Sequence, residues 1–326
     1  MRPNILRRAV SIRPLAAVLD LLLAAGLFLA SPPFKLFARV GAARLPASTR
    51  TLRRLGVFPI RDHYYQPLFH PRHLKRPLDS PRALPAVDMR LEDQIALLKE
   101  LDYAGEIRRL DWSRRSAGNE RFQIDNGAFE AGDAEVLYSV LRHFKPSRIV
   151  EIGSGESTRV VKQATSMNTA QGAQESVHTC IEPYEMPWLE SLGVHVVREL
   201  AEDADPRIFD ELSDGDLLFI DSSHMIRPQG DVLFEYLELL PRLQTGVIVH
   251  VHDIFTPRDY PSAWVIDDVR MWNEQYLLEA LLSDSDRYEV LLTLNHLKND
   301  RFDDLQPICP HLTRETEPGS FYLRVR

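Results

Sequence analysis

Apolar residues recur along this chain in two rhythms. One is helical: Leu91, Ile95 and Leu98 share a face over Leu91–Leu101, and Val136, Leu137, Val140 and Leu141 do so over Asp133–Phe144. The other is the short unbroken run between polar or turn residues, which reads as a strand buried on both faces. Such runs lie at Arg148–Ile152, Val177–Ile181, Val194–Val197, Leu217–Ile220 and Gly246–Val251. Helical stretches separate several of them, roughly Ser157–Met167 and Val232–Leu240, and another opens at Asn273 with Leu277, Leu278, Leu281 and Leu282 on one face. Tyr288–Leu294 and Phe321–Val325 are late strands, suited to antiparallel pairing at a sheet edge. This alternation predicts an α/β fold: a doubly wound, mostly parallel, seven-stranded sheet covered by helices.

Charge divides the chain. The net charge of −8 combines about +12 in residues 1–82, whose only acids are Asp20, Asp62 and Asp79, with about −20 in the remainder. The acidic body does not suit a polyanion, so no nucleic acid partner is expected. The basic segment opens with Arg2, Arg7, Arg8 and Arg13 ahead of an apolar run, Leu15–Ala30, that ends before Pro32-Pro33. Sixteen residues fall short of the ~20 that span a bilayer. With basic residues also following (Lys35, Arg39, Arg44, Arg50, Arg53, Arg54), peripheral or monotopic contact with a membrane is one reading. A signal peptide and a plain buried helix are the others. We divide the chain into a basic arm, 1–85, and a main domain, 86–326. The two cysteines, Cys180 and Cys309, lie in no CxxC pattern, which favours a reducing, cytoplasmic setting and argues against structural zinc.

Glu151-Ile-Gly153-Ser154-Gly155-Glu-Ser157-Thr158 joins a strand to a helix, where open α/β sheets bind ligands. A dinucleotide fingerprint would need a small third residue where Thr158 stands. A Walker loop would need Gly-Lys-Ser/Thr, and a nucleophile elbow needs Gly-x-Ser-x-Gly; neither is present. The remaining pattern, an acid followed by Gly-x-Gly, resembles the first motif of class I S-adenosylmethionine-dependent methyltransferases, which have a Rossmann-like sheet. That resemblance spans roughly Asn126–Val325. It implies that Glu151, Gly153, Ser154, Gly155, Ser157 and Thr158 surround the cofactor, that Glu182 at the end of the next strand takes its ribose hydroxyls, and that Asp221 completes the site. Asp125-Asn126-Gly127 either covers the cofactor or forms an ordinary turn.

Two further strands deliver chemistry to the same edge. Leu217–Ile220 leads into Asp221-Ser-Ser-His224, and Val247–Val249 into His250-Val-His252-Asp253. These segments resemble the catechol-type O-methyltransferases and the branch that tailors macrolides and glycans. The resemblance implies a metal, magnesium or manganese, at Asp221, His252 and Asp253, with His224 standing where that family keeps its base. Without a metal, His224 would deprotonate a hydroxyl directly, its ordinary pKa suiting the task. His250, deepest in its strand, reads as structural. Loop 257–264, with Tyr260 and Trp264, suits a sugar or planar acceptor or simple lid packing. The expected activity is O-methylation of a small molecule or glycan. The alternatives are a metal-dependent oxygenase or hydrolase using Asp221, His224, His252 and Asp253, and a non-catalytic membrane scaffold.

Overall fold

The computed structural model describes residues 13–114, 121–184 and 186–326. The arginines at positions 2, 7 and 8 lie outside them. The chain forms two compact units, Met1–Lys75 and Arg76–Arg326.

In the second unit the short apolar runs form one seven-stranded sheet. Its strands are β1 Arg148–Ile152, β2 Val177–Ile181, β3 His195–Val197, β4 Leu217–Ile220, β5 Ile248–Val251, β6 Tyr288–Thr293 and β7 Phe321–Val325. They lie in the order β3-β2-β1-β4-β5-β7-β6. The first five are parallel, while β7 inserts antiparallel between β5 and β6. Alternate residues face opposite layers. Ile149, Leu217, Phe219 and Ile248 pack with helices Asp133–Phe144 and Glu156–Ala170. Val150, Ile152, Leu218, Ile220, Val249 and Val251 pack with Val232, Tyr236 and Leu278 on the other side.

Strand order fixes where a ligand can sit. From β1 the chain adds β2 and β3 on one side, then returns to place β4 and β5 on the other. The crossovers diverge at the carboxyl ends of β1 and β4 and leave a crevice there. Gly153 and Asp221 are the residues that immediately follow those two strands. The expected helix at Val232–Leu240 is only partly α-helical: Asp231–Phe234 passes into a π turn over Glu235–Leu239. The wider turn brings both Glu235 and Tyr236 inward, and both are fully buried.

Residues 76–85, assigned from sequence to the basic arm, are fastened to the main unit. Arg82 binds Glu279 and the Arg258 carbonyl, its N–H donates to Pro257 O at 2.8 Å, and Asp259 N–H donates to Leu78 O at 3.1 Å.

The first unit departs from expectation in one respect. The apolar helix does not stop at Pro32-Pro33 but runs from Arg13 to Val40. Each proline removes one N–H donor, yet its fixed φ is helical, and Phe34, Leu36 and Phe37 continue the apolar surface. A second helix, Pro46–Leu55, begins with proline and ends at Gly56 in the left-handed conformation (φ 68°). Phe37 is buried and meets Phe58 edge to face at 5.4 Å.

Candidate active site

Gly153 turns the chain out of β1 with a left-handed backbone (φ 76°), and its N–H donates to Ile181 O at 3.0 Å. A Cβ at this position would lie 1.9 Å from the Asp221 carbonyl oxygen. Only glycine permits that approach, so the loop is held against the end of β4. Gly155 plays a different part: its backbone is extended, and a Cβ would meet only Met186 Cε at 3.7 Å.

The side chains expected around the cofactor are partly engaged with one another. Thr158 Oγ1 accepts from Gly155 N–H at 3.2 Å, and Ser157 Oγ donates to Glu151 Oε1 at 2.8 Å. Glu151 is buried under helix Glu156–Ala170, with His178 Nε2 2.7 Å from its Oε2. Ser154 is buried in the loop itself. Glu182 stands past the end of β2, half-buried, and its Oε1 accepts from Tyr184 N–H at 2.9 Å. The structure thus groups Glu151, Ser157 and Thr158 behind the loop and leaves Glu182 at the crevice edge.

The reaction-centre residues do converge. Asp221 is fixed by donation of its N–H to Ile152 O at 2.8 Å. His224 and Asp253 both adopt the left-handed conformation (φ 58° and 59°), a strained state for non-glycine residues that surrounding bonds must hold. Asn273 N–H donates to His224 O at 3.0 Å, and Ile254 N–H to Gly319 O at 2.7 Å. His224 Nε2 lies 3.3 Å from Asp221 Oδ1 and 3.4 Å from Asp253 Oδ2. His252 Nδ1 approaches the same pair, 3.4 Å from Asp221 Oδ1 and 3.6 Å from Asp253 Oδ1. Asp221, His224 and Asp253 bring one ligand-type atom each within 4.8 Å of one another, and His252, expected among the ligands, stands beside the two aspartates outside that group.

Each imidazole is also held from behind. His224 Nδ1 lies 2.8 Å from Glu274 Oε2, whose other oxygen accepts from Tyr236 OH at 2.9 Å. His252 Nε2 lies 3.5 Å from Asp133 Oδ2, and Asp133 Oδ1 accepts from Ser320 N–H at 2.8 Å. Sequence reasoning missed Asp133 and Glu274. An acid opening a helix reads as a favourable partner for the helix dipole, and that role hides any other. His250 is structural, as expected: it stacks on Tyr322 at 4.0 Å, with Nε2 2.8 Å from Ser320 Oγ. Burial, then the neighbouring His252, pushes its pKa well down.

Charge and burial oppose each other across this cluster. Burial works to lower His224 and His252, but hydrogen bonds to Asp221 and Glu274 outweigh it for His224, and the Asp253 and Asp221 charges do so for His252; both rise well above the ordinary value. Burial works to raise Asp221, but His252 and His224 hold it far below the carboxylate range. Burial, then Glu274, pushes Glu235 well up. His224 therefore does not keep the ordinary pKa expected from sequence: the carboxylates around both rings favour a positive charge there, which either a proton or a bound cation supplies.

A cavity of about 330 Å³ opens beside Asp221, His252 and Asp253, walled by Gly127, Glu130, Trp264, Arg270 and Glu317. Asp125-Asn126-Gly127 is a turn: Asn126 Oδ1 accepts the N–H groups of Ala128 and Phe129, each at 2.8 Å. It sets the Phe129 ring 5.0 Å from His252. Arg270 lies over the rings of Trp264 and Trp272, 4.3 and 4.7 Å from their centroids; the two rings meet each other edge to face.

Residues 150–254, from β1 through β5 to Asp253 and Ile254, match the family described as a methyltransferase domain. Over these residues the chain carries a methyltransferase domain. The chain is 25% identical over 177 residues to an uncharacterized protein of Archaeoglobus fulgidus, covering 50% of this chain and 77% of that one. Among solved structures, an O-methyltransferase from Bacillus cereus in complex with SAH is 14% identical, with 71% of this chain and 90% of that one covered at a TM-score of 0.36. The plantazolicin methyltransferase BpumL in complex with SAH is 13% identical, with 73% and 97% covered at a TM-score of 0.34.

The cysteine spacing argues against a metal-type cluster, yet Cys180 Sγ lies 3.6 Å from His178 Nε2. The two residues alternate on β2 and face the same side.

Proposed function

We propose that the cofactor of this domain is S-adenosylmethionine and that its methyl group goes to a hydroxyl of a small molecule or glycan held in the cavity beside Asp221 and Asp253. One observation carries the reading. Two imidazoles, each held at its outer nitrogen by a buried carboxylate, aim their inner nitrogens at the same two aspartates. A carboxylate at the outer nitrogen keeps the proton there and leaves the inner nitrogen as a lone-pair donor. Two such nitrogens and two carboxylates suit a divalent cation, and His252 Nδ1, buried without a hydrogen-bond partner, is the atom such an ion would satisfy. Asp221, His224, His252 and Asp253 would hold it, and the imidazoles favour manganese, iron or zinc over magnesium.

When bound, the metal would lower the pKa of the acceptor hydroxyl, and S-adenosylmethionine supplies the electrophilic methyl group. The remaining work falls to the chain. Asp221 and Asp253 orient the acceptor oxygen for in-line attack. Gly153 keeps the cofactor loop against Asp221, and Glu182 takes the ribose hydroxyls. Trp264 offers an aromatic face to the acceptor. The 2.8 Å bond from His224 to Glu274 favours a second, metal-free reading, in which the neutral form of His224, made a stronger base by Asp221 and Glu274, takes the hydroxyl proton at Nε2 and Glu274 stabilises the imidazolium.

The full chain, treated with EDTA and then given Mn²⁺, Fe²⁺, Zn²⁺, Mg²⁺ or nothing, would be assayed for release of S-adenosylhomocysteine with sugar, phenol and amine acceptors. Acceptor-dependent turnover restored by a metal and lost in Asp253→Asn supports the first reading. Full turnover without metal, lost in His224→Ala, supports the second. Methylation confined to amine acceptors would refute both.

The first unit adds membrane contact to this proposal. Leu15–Val40 is long and apolar enough to cross a bilayer by length and composition, about 39 Å as a helix. It exposes Leu22, Leu23, Phe28 and Leu29, and Arg39, Arg44, Arg50, Arg53 and Arg54 follow, suited to anionic headgroups.

A further inference from the structure

A second group of ligand-type side chains lies behind the glycine loop, on the sheet face covered by helix Glu156–Ala170. Cys180 is the register partner of Glu151, and His178 precedes Cys180 by one strand repeat, so the three share that face. His178 Nε2 is 2.7 Å from Glu151 Oε2 and 3.6 Å from Cys180 Sγ, and Cys180 Sγ is 3.5 Å from the same Oε2. All three residues are buried.

These separations can be compared with a known coordination shape. Zinc bonds of about 2.3 Å to sulfur and about 2.0–2.1 Å to nitrogen or oxygen give tetrahedral S–N and S–O edges of about 3.5 Å and an N–O edge of about 3.3 Å. Both sulfur edges are already present. The third needs to open by about 0.6 Å relative to that geometry. Ser157 donates to Glu151 Oε1 at 2.8 Å, which fixes the carboxylate with Oε2 toward His178 and Cys180, as an outer-shell bond does in a metal site.

The ligand atoms of Glu151, His178 and Cys180 all lie within 4.8 Å of one another. His178 also forms part of the wall of a cavity of about 320 Å³, together with Lys162, Thr165, Glu175 and Gly193, which opens a path from solvent to the ring; a water would be the fourth ligand of such a three-residue site. Burial, then the Glu151 charge, pushes the Cys180 thiol well up. An unliganded Cys180 is therefore a protonated, inert thiol and not a redox sensor. A carboxylate and a thiolate would neutralise a divalent ion, with the thiol proton leaving to solvent.

We propose that Glu151, His178 and Cys180 form a second metal site, for zinc or another thiophilic divalent ion, beneath the cofactor loop and separate from the Asp221 centre. Cobalt(II) separates the two, because only a cysteine ligand gives thiolate-to-cobalt charge-transfer absorption. EDTA-treated full chain is titrated with Co²⁺, alongside Cys180→Ser, His178→Gln, Cys309→Ser and Asp221→Asn/Asp253→Asn, each checked for folding by circular dichroism. The expected result is a saturable near-ultraviolet band in the wild type, in Cys309→Ser and in the double aspartate variant. Cys180→Ser loses it, and His178→Gln weakens cobalt binding by about tenfold or more, which decides the matter should Cys180→Ser fail to fold. The proposal is overturned by absence of the band in the wild type, by its persistence in Cys180→Ser or at full affinity in His178→Gln, or by its loss in Cys309→Ser.

Discussion

A methyl group added at Gly153 would lie 1.9 Å from the Asp221 carbonyl oxygen, on a backbone at φ 76°. Neither the steric clash nor the left-handed conformation can relax without moving β4 away from β1. Gly153→Ala is therefore expected to cost about 3–5 kcal/mol, read from urea unfolding, whereas Gly155→Ala, with only Met186 Cε nearby, stays within about 1 kcal/mol. Equal stabilities for the two variants would show that the close approach does not hold the loop. Glu274 is the other residue whose effect should exceed its size. It touches no cavity atom, yet it orients His224 from 2.8 Å and carries the Tyr236 hydroxyl on its other oxygen. Glu274→Gln keeps the shape and removes the charge, so metal affinity or turnover falls about 10–100-fold with the fold intact. An unchanged metal titration and unchanged turnover would remove Glu274 from the positioning role.

Helix Asp133–Phe144 is buried along nearly its whole length, and one cation joins it to its neighbours. Arg142, 2% exposed, donates to Glu106 on helix Ala104–Leu110 and to Asn168 and Gln171 at the end of Glu156–Ala170. Arg142→Met leaves those acceptors without their donor and should cost about 2–4 kcal/mol, measured by chemical unfolding. The same pair sets part of the acid limb. The Arg142 hydrogen bond outweighs burial and holds Glu106 below the usual carboxylate range. A depressed folded pKa means the contribution is fully present above the unfolded value, about 4.3, and is lost as pH falls through the lower folded one. Glu106→Gln should lower stability at neutral pH and flatten its further loss below about pH 5; an unaltered acid limb would rule the pair out. Arg82 ties the segment ahead of the domain to helix Glu274–Leu282, which also supplies Glu274. The boundary drawn at residue 85 missed this because a proline- and arginine-rich stretch carries no periodicity to mark what it packs against.

At the scale of the whole molecule, the two compact units invite a direct separation of functions. Protein lacking residues 1–75 is expected to unfold at the same urea concentration as the second unit of the full chain, since that unit carries the entire sheet. It should also lose flotation with vesicles containing anionic lipid, which the full chain should show. Salt should weaken the full chain's binding only in part, because the apolar helix contributes a term that screening does not reach. Vesicle binding that survives the deletion would place the membrane contact elsewhere.

The chain's own pattern determined the elements. Arg148–Ile152, Val177–Ile181, Leu217–Ile220 and Phe321–Val325 are strands with the bounds read from sequence, because strands buried on both faces need unbroken apolar runs that polar loops delimit. It also determined that Gly153, Asp221, His224, His252 and Asp253 sit at strand ends, since each follows such a run directly or within a few residues. Tertiary structure alone decided how they act. That Glu151 turns back to His178 and Cys180, that His224 joins His252 around Asp221 and Asp253, and that Asp133 and Glu274 hold those rings all depend on contacts between residues far apart in the chain. Sequence spacing along one element fixes a face. Only the strand order, with β1 beside both β2 and β4 and β4 beside β5, sets which faces meet and therefore which acids and bases share a site.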